Sequence, residues 1–179
     1  MRILGIHLAS NPRDSSALAE LEQNKIRTFT VRRDDEIIAT FVRFSPDLVV
    51  FDSPLKPVEY EYRSAEKEMQ SMNFTFHPMN NPEIQMLSKR GEKLKYLIEN
   101  QLEVRSKVIE TNIEVVKALL KINSVKDLQN VKFMNIVKNE FEQKAVISAI
   151  VGIFYLENNY TQYGDDIDGY VIVPKVDIS

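Results

Sequence analysis

Residues 46–55 have the sequence PDLVVFDSPL, and this stretch decides the fold class. The apolar run within Asp47–Phe51 is short and continuous, which is typical of a strand buried on both faces. The strand is followed by Asp52-Ser53-Pro54, a combination that favours a turn. A strand buried on both faces needs helices on either side of it, so the sequence predicts an α/β protein.

Upstream of this strand, the pattern predicts three strands followed by one helix. The turn-forming residues Asn11–Asp14 separate the first strand from the second. The acidic residues 34–36 supply an N-cap and negative charge for a helix start. Apolar residues at helical spacing follow them and stop before Pro46. The three predicted strands are Arg2–Ala9, Ala17–Leu21 and Lys25–Arg33.

Downstream of residue 55, helical patterns dominate. The predicted helices are Arg63–Met72, Pro82–Gln101, Ile113–Lys121, Val125–Asn130 and the long Asn135–Glu157. Strands are predicted at Val104–Ile109 and Tyr170–Val173, with a turn at Tyr163–Asp166. No repeat, low-complexity tract or linker interrupts this order. We therefore expect a single domain over residues 1–179, with a mixed sheet flanked by helices.

Composition excludes several classes of site. The chain has 179 residues, a net charge of −3 and no cysteine, which excludes thiol catalysis, disulfides and thiolate metal sites. Its 2 histidines are too few for a histidine-based zinc centre, and its 5 glycines form neither GxGxxG nor a P-loop. The longest apolar stretch, Ala145–Leu156, is shorter than the roughly 20 residues of a membrane span. We expect a cytoplasmic protein without a membrane segment.

Three polar residues lie in or directly after apolar strands: His7, Asp52 and Glu110. Sites in open α/β sheets form at the carboxyl ends of strands, where Asp52 and Glu110 are expected. Two converging carboxylates could bind Mg²⁺ or Mn²⁺, and such ions can activate water for phosphodiester hydrolysis. The alternative is structural, because acidic residues also end many strands by capping the next turn.

Five stretches of the chain resemble, in order, the predicted RNase H-like nucleases, a domain-of-unknown-function family of bacteria and archaea. That family opens with an apolar strand, a glycine and an aspartate before Leu-Ala. Its later signatures are Asp-Ala-Pro-Leu, Val-Ile-Glu, His-Glu-x-Asp-Ala and Gly-Asp…Gly-Tyr-Ile-Val-Pro. The matching stretches here are Ile3–Ala9, Pro46–Leu55, Val108–Asn112, Phe141–Ala145 and Tyr163–Pro174.

The resemblance implies an RNase H-like fold and a metal-dependent nuclease that uses strand-end carboxylates. The acidic positions of the family fall on residues 7, 52, 110 and 144. Two of them depart from the pattern, since residue 7 is His and residue 144 is Lys. Phe141 also replaces the histidine of the helix signature. Histidine suits Mg²⁺ poorly, and an ammonium group at the site would repel a divalent ion.

These departures leave two function classes. One is a metal-dependent nuclease with Asp52 and Glu110 as ligands and His7 as a changed third ligand. The other is a catalytically inactive relative that acts as a binding or structural module. In the second, we expect the Lys144 ammonium to take the place of the metal between the carboxylates, so Lys144→Met should destabilise the protein. Lys144 could instead extend to solvent from the helix edge.

Other features allow weaker functional interpretations. Nucleic acid is an expected partner, and a basic helical run could contact its phosphates, although a solvated helix face explains the same residues. A second subunit could supply the missing carboxylates, so an oligomer is also compatible with the sequence. His77 and an acidic turn are interpreted as exposed surface. The basic run is Lys89, Arg90, Lys93 and Lys95, and the acidic turn contains Asp165, Asp166 and Asp168.

Overall fold

The computed structural model describes residues 1–11, 13–103 and 106–176. Its strands are β1 (Arg2–His7), β2 (Ser16–Glu22), β3 (Lys25–Val31), β4 (Leu48–Phe51), β5 (Lys107–Glu110), β6 (Lys132–Phe133), β7 (Tyr160–Asp165) and β8 (Gly169–Pro174). Its α-helices are α1 (Asp34–Phe44), α2 (Ser64–Gln70), α3 (Pro82–Tyr96), α4 (Ile113–Leu120) and α5 (Glu140–Leu156). A π-helical turn, Leu97–Gln101, continues α3, and Val125–Asp127 forms a 3₁₀ turn.

The described strands form one mixed sheet in the order β6-β3-β2-β1-β4-β5-β8-β7. Strands β1, β4, β5 and β8 run parallel, whereas β2 is antiparallel to both β1 and β3. Apolar side chains of the sheet alternate between two cores. Leu4 and Val49 pack with α1 and α3 on one face, while Ile3 and Val50 pack with α2, α4 and α5 on the other. This mixed α/β sheet with helices on both faces confirms the fold class predicted from residues 46–55.

Gly5 allows α5 to lie directly on β1. A Cβ atom at this position would come within 2.1 Å of the Ala145 carbonyl oxygen and 2.5 Å of the Ala149 nitrogen. Both of these are backbone atoms, so neither can move aside without shifting the helix. Gly5 on the strand and the small residues Ala145 and Ala149 on the helix therefore allow the two backbones to pack closely.

Some predicted boundaries were wrong for local reasons. The long helix begins at Glu140 rather than residue 135, because the Asn139 side chain caps it by accepting from Glu142 N. Lys132–Phe133, which lie between two predicted helices, pair with β3 as an edge strand that was not predicted. Arg33 is the N-cap residue of helix α1, but its side chain makes no capping hydrogen bond. The acidic residues lie in the first turn, where the Glu36 carboxylate accepts from the backbone of Arg32 and Arg33.

The C-terminal half also differs in detail. The turn predicted at Tyr163–Asp166 is displaced towards the C-terminus: strand β7 continues to Asp165, whose carboxylate accepts from the backbone nitrogens of Ile167 and Asp168. The helix predicted at Val125–Asn130 is a single 3₁₀ turn. Residues 104–105 of the strand predicted at 104–109 lie outside the described residues, as does residue 12 of the first turn. Across the described ranges, no helix has the length and apolar character to cross a membrane.

Candidate functional site

Three parallel strands bring the predicted site residues to one edge of the sheet. Ile6 of β1 lies opposite Phe51 of β4, and Phe51 lies opposite Glu110 of β5. His7 and Asp52 follow directly after Ile6 and Phe51. We call this edge, where β1, β4 and β5 end, the carboxyl edge. The structure therefore places all three strand-end residues at the same edge, as the sequence predicts.

His7 and Asp52 form a close pair. The His7 Nδ1 atom lies 2.6 Å from Asp52 Oδ2, and the Asp52 side chain is only 4% exposed. An ionised Asp52 accepts a hydrogen bond, so it favours the tautomer in which Nδ1 carries the proton and Nε2 is free to accept. Asp52 thus orients the imidazole ring, and one of its own oxygens is occupied in doing so.

Phe141 covers one face of His7. Their ring centroids are 5.0 Å apart and the planes differ by 18°, which is a stacked arrangement. Phe141 lies in the first turn of α5 and is 44% exposed. The close approach of α5 at Gly5 brings this turn over the end of β1. Residue 141, where the helix signature of the resembling family has a histidine, therefore presents an apolar ring to His7.

Glu110 is bound by an arginine that the sequence analysis missed. Arg63 Nη1 donates to Glu110 Oε2 over 3.1 Å, and Arg63 Nη2 donates to Glu110 Oε1. The same guanidinium donates to both oxygens of Glu66, and Leu55 N donates to Glu110 Oε2. Both oxygens of Glu110 are therefore already occupied.

The side chains of Arg63, Glu66 and Glu110 are almost completely buried. Arg63 has 0% exposure, and Glu66 and Glu110 are also buried. Burial alone would lower the pKa of Arg63, but the charges and hydrogen bonds of Glu110 and Glu66 outweigh it and hold the pKa above its ordinary value. Arg63 is therefore a permanent cation at the inner side of the carboxyl edge.

Lys144 does not have the role expected of it. Its Nζ atom lies 3.4 Å from Glu140 Oε1, one turn earlier on α5, and the two side chains are 26% and 72% exposed. No ion pair joins Lys144 to Asp52 or Glu110 in the described part of the chain. The expectation that Lys144 neutralises both carboxylates was wrong, because Arg63 binds Glu110 and His7 binds Asp52. The alternative, a lysine extending to solvent, describes the geometry better.

These contacts do not fit a divalent metal. Within residues 1–11, 13–103 and 106–176, no three His, Asp or Glu side chains are grouped so that they could hold a metal ion. A metal at Glu110 would lie against the buried Arg63 cation, which repels it, and a metal at Asp52 would share the carboxylate with His7. The donor set expected for Mg²⁺ or Mn²⁺ is thus not assembled here.

The remaining candidates have mainly structural contacts. Arg90 is buried, where it donates to the Asp34 carboxylate and the Ala9 carbonyl, so it does not belong to a solvated basic face. Asp165 and Asp168 both accept from Ser64 and tie the β7–β8 turn to α2. His77 is exposed, as expected of a loop residue.

A cleft of about 550 Å³ lies beside Glu110, between β5 and β8. It exists because, among the described residues, these neighbouring strands pair only at Glu110 and Val171. Three lysines and five carboxylates line it, so its lining carries an excess of negative charge. Lys107 lies at its border, with Nζ 4.9 Å from the centre of the Tyr155 ring.

Comparison with known proteins identifies the fold. The chain is similar to the structure of T. thermophilus RuvC in complex with a Holliday junction substrate, with a TM-score of 0.55 over 88% of this chain and 96% of that chain. The sequence identity is 12%, so the similarity concerns the fold alone. It supports the RNase H-like fold expected from the five sequence stretches. No protein family matches the sequence, and neither does any curated protein.

Proposed function

We propose that this protein binds nucleic acid on an RNase H-like scaffold and does not cleave it through a divalent metal. The observation that carries the proposal is the occupation of both strand-end carboxylates by protein groups. Glu110 is bound by Arg63, and Asp52 is bound by His7. The RNase H-like fold supports the scaffold, whereas the contacts of Asp52 and Glu110 speak against a set of metal ligands.

The electrostatics support the absence of metal chemistry. Removing Arg63 from Glu110 would leave a buried cation without part of its compensation, which is strongly unfavourable. His7 replaces a carboxylate of the family pattern with a neutral or positive ring. Lys144 adds a positive charge one turn from Phe141. Each of these changes lowers the negative potential that attracts Mg²⁺ or Mn²⁺.

Nucleic acid is proposed as the partner for two reasons. The similar RuvC structure contains a Holliday junction substrate. In addition, exposed cations lie around the carboxyl edge although the whole chain is acidic: Arg13 follows β1, Arg32 follows β3, and Lys138 precedes α5. None of these three takes part in an ion pair found among the described residues. Such cations can contact phosphates without reading sequence.

The test combines binding and cleavage on the same substrates. Fluorescence anisotropy is measured with labelled single-stranded, duplex and four-way-junction DNA at several salt concentrations. The same substrates are incubated with Mg²⁺ or Mn²⁺ and analysed on denaturing gels. We expect binding that weakens with salt and no metal-dependent product.

Matched variants locate the binding surface. Arg32→Ala with Lys138→Ala should weaken binding, whereas Lys25→Ala with Lys132→Ala removes the same charge from the opposite edge of the sheet and should not. Absence of binding to every substrate would contradict the proposal. Metal-dependent cleavage that is lost in Asp52→Asn would also contradict the proposal, and would support a metal-dependent nuclease instead.

A further inference from the structure

We infer that the stacked pair of Phe141 and His7 is a platform for an unpaired nucleobase. The inference rests on the proposed function and specifies its ligand as single-stranded nucleic acid or an unpaired base within a larger structure. The Phe141 ring is 44% exposed at the carboxyl edge. One face of this ring contacts His7, which leaves aromatic surface available to a ligand.

The platform is held in place before any ligand arrives. Asp52 orients the His7 imidazole through the 2.6 Å contact with Nδ1. Phe141 stacks on one face of the same imidazole ring. The first turn of α5, which carries Phe141, is capped by Asn139. A ring that is already ordered loses little conformational entropy when a second ring stacks on it, so this arrangement favours binding.

The surroundings suit a nucleotide better than a purely apolar ligand. Lys144 lies three residues beyond Phe141, on the same side of α5, and its side chain is part-exposed. Lys138 is exposed directly before the helix. A base on Phe141 would therefore have cations within reach of its phosphates, although Glu140 offsets part of this charge. The exposed side chain of Ile136 adds apolar surface on the segment leading into the helix.

Unpaired bases are favoured over duplex for a geometric reason. The faces of bases inside a duplex are covered by their neighbours, whereas bases in single strands, loops and bulges can stack on aromatic side chains. Every base has such a face, so the platform would select unpaired structure rather than sequence. Loss of one base–aromatic stack typically lowers affinity by about fivefold or more.

The experiment uses single-stranded DNA containing the fluorescent base 2-aminopurine, whose emission falls when it stacks. Anisotropy gives the affinity and emission gives the stacking, for the wild-type chain, Phe141→Leu and Phe141→Tyr. Phe141→Leu keeps an apolar side chain on the helix but removes the aromatic face. Leu156→Ala is the control, since Leu156 is also part-exposed on α5 but lies at its opposite end.

We expect Phe141→Leu to lose the emission change and to bind single strands at least about fivefold more weakly. Phe141→Tyr should retain both signals, Leu156→Ala should match the wild type, and duplex affinity should be unaffected by all three changes. Equal binding and equal quenching in Phe141→Leu would overturn the inference while leaving the proposed function intact. An equal loss for duplex and single strand would also overturn it, because that result indicates a structural effect. If the wild-type chain binds no nucleic acid, the proposed function itself fails.

Discussion

Arg63 and Glu110 lie 47 residues apart in the chain and meet in a bidentate, buried ion pair at the carboxyl edge. The guanidinium also holds Glu66, so one cation serves two buried carboxylates. This pair occupies a carboxylate that the family resemblance assigns to a metal. The Arg63 guanidinium therefore binds a carboxylate that a metal-dependent nuclease would need to keep available for its metal.

Arg63→Met should be among the most damaging single substitutions in this protein. It leaves Glu66 and Glu110 buried without their cation, and we expect a loss of about 3–5 kcal/mol in the free energy of unfolding. Urea denaturation measures this loss. Arg33→Met is the control, because the ion pair of Arg33 with Asp35 is exposed and should contribute about 1 kcal/mol or less. Similar small losses in both variants would show that the buried cluster does not stabilise the fold.

Lys144→Met should have little effect on stability. Its ion pair with Glu140 joins a part-exposed lysine to an exposed carboxylate four residues earlier in the helix, a type of contact that contributes about 0.5 kcal/mol or less. The same denaturation experiment checks this value. A loss of several kcal/mol would indicate that Lys144 neutralises the strand-end carboxylates after all.

Gly5→Ala should disrupt the packing of α5 on the sheet. The added methyl group meets backbone atoms of Ala145 and Ala149, so we expect a cost at the upper end of the overpacking range, about 3 kcal/mol. Thermal unfolding followed by circular dichroism measures the effect. Gly91→Ala is a milder comparison, since its nearest contacts would be at 3.0 Å. If Gly5→Ala unfolds at the wild-type temperature, α5 does not approach β1 as closely as described.

The carboxyl group of Asp165 should titrate below its ordinary range. The hydrogen bond from Ser64, followed by that from the Asp168 backbone, lowers the pKa of Asp165 from 3.8. A lowered pKa in the folded state means that these contacts stabilise the fold above the ordinary pKa and lose that effect as the pH falls through the folded value. Ser64→Ala should raise the pKa of Asp165, as measured by ¹³C NMR of the carboxyl group. Ser71→Ala, on the same side of the fold but bonded to Glu68 O, should leave it unchanged.

The sequence predicts the sheet well where strands are apolar and continuous. Leu48–Phe51 is recognisable because burial on both faces requires an unbroken apolar run, and Asp52 marks the strand end by its position alone. Strand β6 could not be predicted, since Lys132 and Phe133 carry no strand pattern and are defined by their pairing with β3. Helix α5 was predicted too long because the capping contact of Asn139 cannot be distinguished from helical sequence.

The sequence predicts where the three strand-end residues lie, but not which groups they contact. Strand order places His7, Asp52 and Glu110 together, and that much follows from the positions of polar residues at strand ends. The partner of Glu110 could not be inferred, since Arg63 is remote in sequence and lies at the start of a short helix with no catalytic motif. Its only local signal was Glu66 three residues later, a spacing that indicates a helix start rather than a site.

Protein groups bind both strand-end carboxylates, Arg63 at Glu110 and His7 at Asp52. The most direct test is a calorimetric titration of the wild-type chain with Mn²⁺, with Asp52→Asn and Glu110→Gln titrated in parallel. We predict no saturable heat of binding in any of the three proteins. Saturable binding to the wild-type chain that is lost in either variant would show that these carboxylates are available to a metal and would identify a metal site at the carboxyl edge.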